Sequence, residues 1–299
     1  MRPYSRVYAT VNLDAVASNM RSMRDNLPAS TLIMGSVKAD GYGHGSVPVA
    51  KTIEPYVFGY AVATIDEGII LRRHGINKTI LILGVTHESR YEDLLRYDIR
   101  TAMFQYEKAK KLSDLALKQG KKAVVHLALD TGMSRIGMKA DREHAKEAAA
   151  IAALEGIEVE GLFTHFARAD ETDKSAYEEQ YRRYKEFLGY LKELGVKIPI
   201  RHCSNSAGIV ESLESNHMDM VRAGIAIYGM YPSDEVDHNS VKLTPAMEIK
   251  SCITYIKEIE AGTAVSYGGT FVADHTMKVA TIPVGYGDGY VRSLSGKGD

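Results

Sequence analysis

The sequence contains no tryptophan and only two cysteines among its 299 residues, and its formal net charge is −1. Cys203 and Cys252 stand far apart without metal or redox spacing, so we expect no metal site. A balanced charge gives no support for binding to nucleic acid or to a membrane surface. No apolar run is long enough to span a bilayer, and the first residues lack the apolar core of a secretory signal. These absences predict a cytoplasmic protein, since thiols stay reduced in that compartment.

Apolar runs that predict strands alternate with amphipathic stretches that predict helices over most of the chain. The predicted strands are Thr31–Val37, Tyr56–Val62, Thr79–Leu83, Ile99–Met103, Ala123–Leu129, Ile157–Thr164, Ile198–Cys203 and Met218–Ile225. The predicted helices include Asn12–Leu27, Asp66–His74, Glu107–Gln119, Arg142–Leu154 and Ser175–Leu194. About eight strand–helix units in roughly 220 residues are typical of an α/β fold of the (β/α)₈ TIM barrel type. A doubly wound open sheet is the alternative, although no G-x-G-x-x-G motif follows an early strand.

The sequence pattern changes after Pro232. Residues 233–240 are polar and acidic, as in a linker, and from Ala246 onward apolar and polar residues alternate as in β-strands. Further strands are predicted at Arg6–Val11 and Lys278–Val284. We therefore expect a barrel over residues 10–235 and a smaller, incomplete β domain made of residues 236–299 and the N-terminal strand 1–9.

The stretch V-K-A-D-G-Y-G-H-G, residues 37–45, places Lys38 at the carboxyl end of the first predicted barrel strand. Active groups of such barrels lie at the carboxyl ends of the strands. A partly desolvated lysine amine attacks carbonyl carbons, either of substrates or of pyridoxal phosphate (PLP). The alternative is a lysine that extends its charged end into solvent beside a flexible turn.

Two further motifs follow the fifth and sixth predicted barrel strands. D-T-G-M-S-R-I-G-M, residues 130–138, places Arg135 in a turn, where a guanidinium suits a carboxylate or a phenolate. T-H-F-A-R-A-D, residues 164–170, places His165 at a strand end. Both side chains are expected at the mouth of the barrel.

The last two barrel strands carry an expected anion site. H-C-S-N-S-A-G contains Asn205 and Ser206, which predict the cap of a helix and with it a place for an anion. V-R-A-G-I-A-I-Y-G places Arg222 at the mouth of the barrel, and the amides of Gly224 and Ile225 are suited to phosphate. Phosphate sites of such barrels favour the loops after strands seven and eight.

These motifs resemble those of bacterial alanine racemases, in collinear order over the whole chain. In that family the lysine of V-K-A-N/D-x-Y-G-H-G holds PLP covalently, so the resemblance implies that Lys38 does so. It implies that Arg222 contacts the pyridine nitrogen and that Arg135 contacts the PLP phenolate oxygen and the substrate carboxylate. His165 matches a position beside or in contact with the cofactor. The other residues implied to contact the cofactor are Tyr42, Asn205, Ser206, Gly224 and Ile225.

Two motifs of the predicted β domain complete the resemblance. V-S-Y-G-G-T-F supplies Tyr267, which matches the family's catalytic tyrosine and implies a homodimer, because it reaches the neighbouring subunit's site. G-Y-G-D-G-Y supplies Tyr286, near the substrate entry path. Racemisation needs proton removal from one face of Cα and return to the other, and two bases do this directly. The implied activity is PLP-dependent racemisation of L- and D-alanine, with Lys38 and Tyr267 as the two bases. This reaction would supply D-alanine for peptidoglycan.

Two features depart from the family pattern. Ala128 stands two residues before Asp130, where many alanine racemases have a lysine that orients the arginine. The family also continues for roughly another eighty residues, so we expect a truncated chain with lowered turnover. Racemisation of serine or of a broad range of amino acids is one alternative function. Another is a non-enzymatic PLP-binding barrel of cofactor homeostasis, but such proteins lack the β-domain motifs.

Overall fold

The computed structural model describes residues 6–297 and divides the chain into two compact units. One unit is Asn12–Ala246, and the other combines the chain up to Val11 with the chain from Met247 onward. Residues 1–5 and 298–299 of the predicted β domain lie outside the described residues.

The strands and helices follow one another in the predicted alternation. In chain order the strands are β1 (Val7–Val11), β2 (Leu32–Ser36), β3 (Gly59–Val62), β4 (Thr79–Ile82), β5 (Arg100–Met103), β6 (Ala123–Asp130), β7 (Met138–Lys139), β8 (Ile157–Phe163), β9 (Ile200–His202), β10 (Met220–Ala223), β11 (Met247–Ser251), β12 (Tyr255–Ile259), β13 (Ala264–Val265), β14 (Phe271–Val272) and β15 (Met277–Thr281). The helices are α1 (Leu13–Asp25), α2 (Lys38–Tyr42), α3 (Ser46–Ile53), α4 (Ile65–Arg73), α5 (Tyr91–Tyr97), α6 (Tyr106–Lys118), α7 (Arg142–Ala152), α8 (Ser175–Glu193) and α9 (Ser206–Val210).

Eight parallel strands of the larger unit close into a barrel. The order around the ring is β2, β3, β4, β5, β6, β8, β9 and β10, and β10 pairs with β2. The pairing of β5 with β6 completes the ring, so the (β/α)₈ prediction is confirmed and the open-sheet alternative is wrong. Parallel strands are covered on both faces, which explains their continuous apolar runs; β3, for example, is buried at every residue.

The helices cover the barrel with apolar faces at helical spacing. In α1, Val16, Met20 and Met23 are fully buried, and the Asn12 side chain accepts the N–H groups of Asp14 and Ala15 at 3.0 and 3.1 Å. Asn12 therefore starts the helix as its N-cap. Inside the barrel, a separate buried cluster is formed by Met34, Ala61, Leu81 and Met220 of four strands.

The boundary between the units differs from the one expected at residue 236. Val236, Val241 and Ala246 are buried in the core of the larger unit. Asn19 of α1 donates to the Thr244 carbonyl at 2.9 Å and accepts its N–H at 2.8 Å. The segment after residue 235 is polar in composition, but its spaced apolar residues and paired main chain hold it to the barrel. The second unit resumes at Met247.

The smaller unit is built from antiparallel strand pairs. β1 pairs with β11, β12 with β15, and β13 with β14. The alternating run after Ala246 forms two strands, β11 and β12. Arg6 donates to the Pro283 carbonyl at 2.6 Å and pairs with the Asp288 carboxylate, which ties the N-terminal strand to a late loop of this unit. The expected barrel with a smaller β domain is the observed architecture. Within residues 6–297, no helix is both long and apolar enough to cross a membrane.

Candidate active site

A cavity of about 280 Å³ opens among the carboxyl ends of the barrel strands. Its lining includes eight of the residues that the sequence predicted: Lys38, Tyr42, His165, Asn205, Ser206, Arg222, Gly224 and Ile225. The apolar lining residues Leu83, Met133, Phe166 and Pro232 were not predicted, because an isolated apolar residue in a loop carries no chemical signature. The barrel thus gathers residues from distant parts of the chain into one polar cavity.

Lys38 begins α2, which is a single left-handed turn rather than a regular α-helix, because its next four residues all have positive φ. The φ angles of Ala39, Asp40, Gly41 and Tyr42 are 51, 50, 62 and 52°. This conformation costs roughly 1–2 kcal/mol for each residue with a side chain. Asp40 offsets part of that cost, because its side chain accepts the N–H of Ser46 at 2.7 Å. The glycine-rich motif is therefore a tight turn that presents the lysine to the cavity.

Glu67, in the first turn of α4, holds this turn in place. One carboxylate oxygen accepts the N–H of Ala39 at 3.0 Å, and the other accepts the N–H of Ala63 at 2.7 Å. The carboxylate thus joins the ends of β2 and β3 beside Lys38. Sequence reasoning did not select Glu67, because an acidic residue in the first turn of a helix is common for reasons of helix polarity.

Glu67→Gln is expected to lower the free energy of unfolding by about 1–2 kcal/mol and to lower turnover, since one accepting oxygen becomes an NH₂ group facing an N–H. Urea unfolding and steady-state kinetics measure both effects. Glu92→Gln is the matched control, because Glu92 is an exposed glutamate in the first turn of α5. Equal stability and turnover in the two variants would contradict the role of Glu67.

Arg222 is buried, with 3% of its surface exposed, and makes five hydrogen bonds. Nη1 donates to His202 Nδ1 at 2.8 Å and to the His202 carbonyl at 3.1 Å. Nη2 donates to the carbonyls of Thr164 and Cys203 at 2.7 and 3.1 Å and to His165 Nδ1 at 3.3 Å. Within the described part of the chain Nε has no hydrogen-bond partner, which leaves one N–H of a cavity-lining guanidinium for a ligand. Burial lowers the pKa of Arg222 to about 10, so it stays a cation at neutral pH.

His165 is neutral at neutral pH. Burial first, and then the charges of Arg222, Arg135 and Lys38, lower its pKa to about 3. Because Arg222 can only donate, His165 Nδ1 accepts and the ring proton stays on Nε2. His165 therefore offers a neutral N–H donor through its second nitrogen.

Two hydroxyl groups and the main chain form a pocket suited to phosphate. The Ser206 hydroxyl accepts the N–H of Gly224 at 2.9 Å. A Cβ on Gly224 would lie 3.3 Å from the Ser206 hydroxyl oxygen and 3.6 Å from that of Tyr42, so both hydroxyls flank this glycine. Asn205 caps α9, as predicted, by accepting the N–H of Gly208 at 3.1 Å. The buried Ser36 hydroxyl, also in the lining, lacks a partner among the described residues.

Arg135 is the barrel residue of the predicted site that does not line the cavity. It is exposed and, among the described residues, forms no ion pair or hydrogen bond. Its loop is shaped by Asp130, which accepts the N–H groups of Gly132 and Ser134 at 3.0 Å. Ala128, at the position of the family lysine, is buried against apolar neighbours in the barrel interior. Arg135 therefore lies near the site, where its charge acts on His165, and no carboxylate of the described residues pairs with it.

Tyr267 and Tyr286 belong to the smaller unit rather than to the barrel. Tyr267 follows β13 in a turn and is 94% exposed, and Tyr286 is 75% exposed. Exposed phenol side chains of this size are available to a partner surface or a ligand.

Comparison with known proteins assigns both units. Residues 11–232 match the family model "Alanine racemase, N-terminal domain", and residues 246–299 match "Alanine racemase, C-terminal domain". The chain belongs to the alanine racemase family. The family that the motifs resembled is thereby confirmed, and membership makes the protein an isomerase rather than a cofactor-storage barrel.

Two alanine racemases illustrate the similarity in sequence. The chain is 43% identical to that of Desulforamulus reducens, over 98% of this chain and 79% of the relative. It is 44% identical to that of Clostridium perfringens strain SM101, over 97% of this chain and 75% of the relative.

Solved alanine racemases show the same similarity in structure. The enzyme of Clostridium difficile 630 matches with a TM-score of 0.89 and 41% identity, over 97% of this chain and 76% of that one. The enzyme of Bacillus anthracis, solved with bound L-Ala-P, matches with a TM-score of 0.88 and 33% identity, over 99% of this chain and 77% of that one.

Proposed function

We propose that this chain racemises L- and D-alanine with PLP held by Lys38. The observation that carries the proposal is the single cavity lined by Lys38, Arg222, His165 and the two hydroxyls beside Gly224, in a member of the alanine racemase family. The Bacillus anthracis relative with bound L-Ala-P supports an alanine-sized substrate.

The donors of the cavity fit PLP. The amine of Lys38 is the group for its aldehyde, and the hydroxyls of Tyr42 and Ser206, with the main chain at Gly224 and Ile225, are the groups for its phosphate. The Nε–H of Arg222, which has no partner among the described residues, would donate to its ring nitrogen. Asn205 and His165 would complete the contacts.

When bound, PLP supplies an electron-withdrawing ring that stabilises negative charge on the substrate Cα. Lys38 would serve as the base on one face of Cα, and Tyr267 as the base on the other. His165, which is hydrogen-bonded to Arg222, would offer its Nε2–H as a neutral donor in the cavity. Arg135 would bind the substrate carboxylate, and Tyr286 would line the path of entry.

Arg222 would keep the ring nitrogen unprotonated, because a guanidinium only donates. Arg222→Glu is expected to slow racemisation and to increase transamination, since a carboxylate can accept a bond from a protonated ring. In this structure the new carboxylate would also face three carbonyl oxygens and destabilise the barrel. Arg222→Lys keeps the positive charge and is the second variant. It is expected to slow racemisation without changing the ratio of transamination to racemisation. Product analysis measures racemisation and transamination together, and unchanged partitioning in a folded Arg222→Glu protein would contradict this role.

The test of the function is formation of D-alanine from L-alanine by the purified chain, with and without added PLP. PLP-dependent formation is expected, and its absence in a chain that binds PLP would overturn the proposed activity. L-Serine is assayed in parallel, because Ala128 and an Arg135 without an ion pair among residues 6–297 favour a broader substrate range as the second candidate. A kcat/KM for serine equal to that for alanine would support this broader activity.

We further propose a cytoplasmic homodimer that shares its active sites and supplies D-alanine for peptidoglycan. The support is family membership and the exposure of Tyr267 on the smaller unit.

A further inference from the structure

A line of polar side chains crosses the interior of the barrel and ends at Arg222. His202 Nδ1 lies 2.8 Å from Arg222 Nη1, and His202 Nε2 lies 2.8 Å from His126 Nδ1. His126 Nε2 lies 2.9 Å from Glu160 Oε2, and Arg100 Nε lies 3.4 Å from the same oxygen. Both imidazoles are fully buried, whereas Glu160 is partly exposed. We call Arg222, His202, His126 and Glu160 the imidazole chain.

The two ends of the imidazole chain decide which nitrogens carry protons. A guanidinium only donates, so His202 Nδ1 accepts and His202 carries its proton on Nε2. That proton is donated to His126 Nδ1, so His126 carries its own proton on Nε2. His126 then donates to the Glu160 carboxylate, which only accepts. Burial lowers the pKa of both histidines, in agreement with neutral rings.

A glycine makes the contact between the two rings possible. His126 lies on β6 and His202 on β9, and β8 runs between these strands. A Cβ at Gly161 of β8 would lie 2.5 Å from His126 Nδ1 and 2.8 Å from the Ile200 carbonyl. The register of β6 and β8 shifts just before His126, which places Gly161 opposite it. The strand irregularity and the missing side chain together open the route.

We propose that His126 and Glu160 are positioning residues for Arg222, with Glu160 supplying through two neutral imidazoles the negative charge that Arg222 lacks nearby. Within the described residues Arg222 forms no ion pair, and its acceptors are carbonyl oxygens and imidazole nitrogens. A buried cation with only neutral acceptors is costly. A chain of aligned hydrogen bonds that ends on a carboxylate offsets that cost by polarisation. The inference rests on the proposed function only for the role of Arg222 toward the cofactor.

Histidine tautomers provide a test that needs no activity. The full chain labelled with ¹⁵N-histidine is measured by long-range ¹H–¹⁵N spectra, with signals assigned from His126→Gln and Glu160→Gln proteins. His126 and His202 are both expected as neutral Nε2–H tautomers at neutral pH, with and without PLP. A charged ring or an Nδ1–H tautomer at either position would overturn the imidazole chain. Failure of the proposed racemase function would leave this result unaffected.

A pair of charge-neutralising variants on one strand tests the positioning role. Glu160→Gln keeps an oxygen for His126 but removes the charge, and Glu158→Gln removes an exposed charge two residues earlier. Glu160→Gln is expected to lower kcat about tenfold with KM for alanine within about twofold, and to raise transamination per racemisation event. Glu158→Gln should match the unmodified protein. If Glu160→Gln loses thermal stability but keeps kcat and the transamination ratio, its role is structural only and the proposal is wrong.

Discussion

Lys38→Ala is expected to abolish covalent retention of PLP and to lower racemisation by roughly 10³-fold or more, since in the proposed function one side chain supplies both the cofactor attachment and one base. The left-handed turn after Lys38 is held by Asp40 and Glu67, so the fold should survive the change. Lys51→Ala, which removes an exposed lysine of α3, is the matched control and should behave as the unmodified chain.

Borohydride reduction followed by peptide mapping checks this assignment directly. The pyridoxyl label is expected on Lys38 in the unmodified chain and on no peptide of Lys38→Ala. Label on another lysine, or racemisation at the unmodified rate by Lys38→Ala, would sink the assignment.

Tyr267→Phe is expected to lower racemisation by roughly 10²–10⁴-fold, because the variant loses the proposed base on the second face of Cα. Lys38 remains, so the variant should still exchange the Cα hydrogen of one alanine enantiomer with solvent deuterium, without inversion. Tyr255→Phe is the control, since Tyr255 is another exposed tyrosine of the smaller unit. NMR of alanine incubated in D₂O measures the exchange, and exchange of both enantiomers at equal rates would refute the two-base assignment.

Mixing the two inactive variants tests whether the sites are shared between subunits. If Tyr267 completes the site of a partner, a heterodimer of Lys38→Ala and Tyr267→Phe chains contains one intact site. Unfolding and refolding the mixture should then restore about a quarter of the unmodified activity, as expected for random pairing in a two-fold dimer. Refolded dimers without activity would show that each site is built within one chain.

The sequence by itself determined the barrel and eight of the residues that line the cavity. Periodic apolar runs give strands and helices their order, and parallel strands bring their carboxyl ends to one face, so Lys38, His165, Asn205 and Arg222 were predictable as neighbours. The role of Asn205 as a helix cap was also predictable, because capping depends on only a few adjacent residues.

Only the tertiary structure decided the contacts between residues far apart in the chain. The main-chain bonds of Thr244 to Asn19 hold a polar segment to the barrel, and composition could not reveal them. The hydrogen bond between His126 and His202 is possible only because Gly161, on the strand between them, has no side chain. The positions of the protons along the imidazole chain follow from the guanidinium at one end, which only donates, and the carboxylate at the other, which only accepts. These end groups are known only once the structure shows which side chains are in contact.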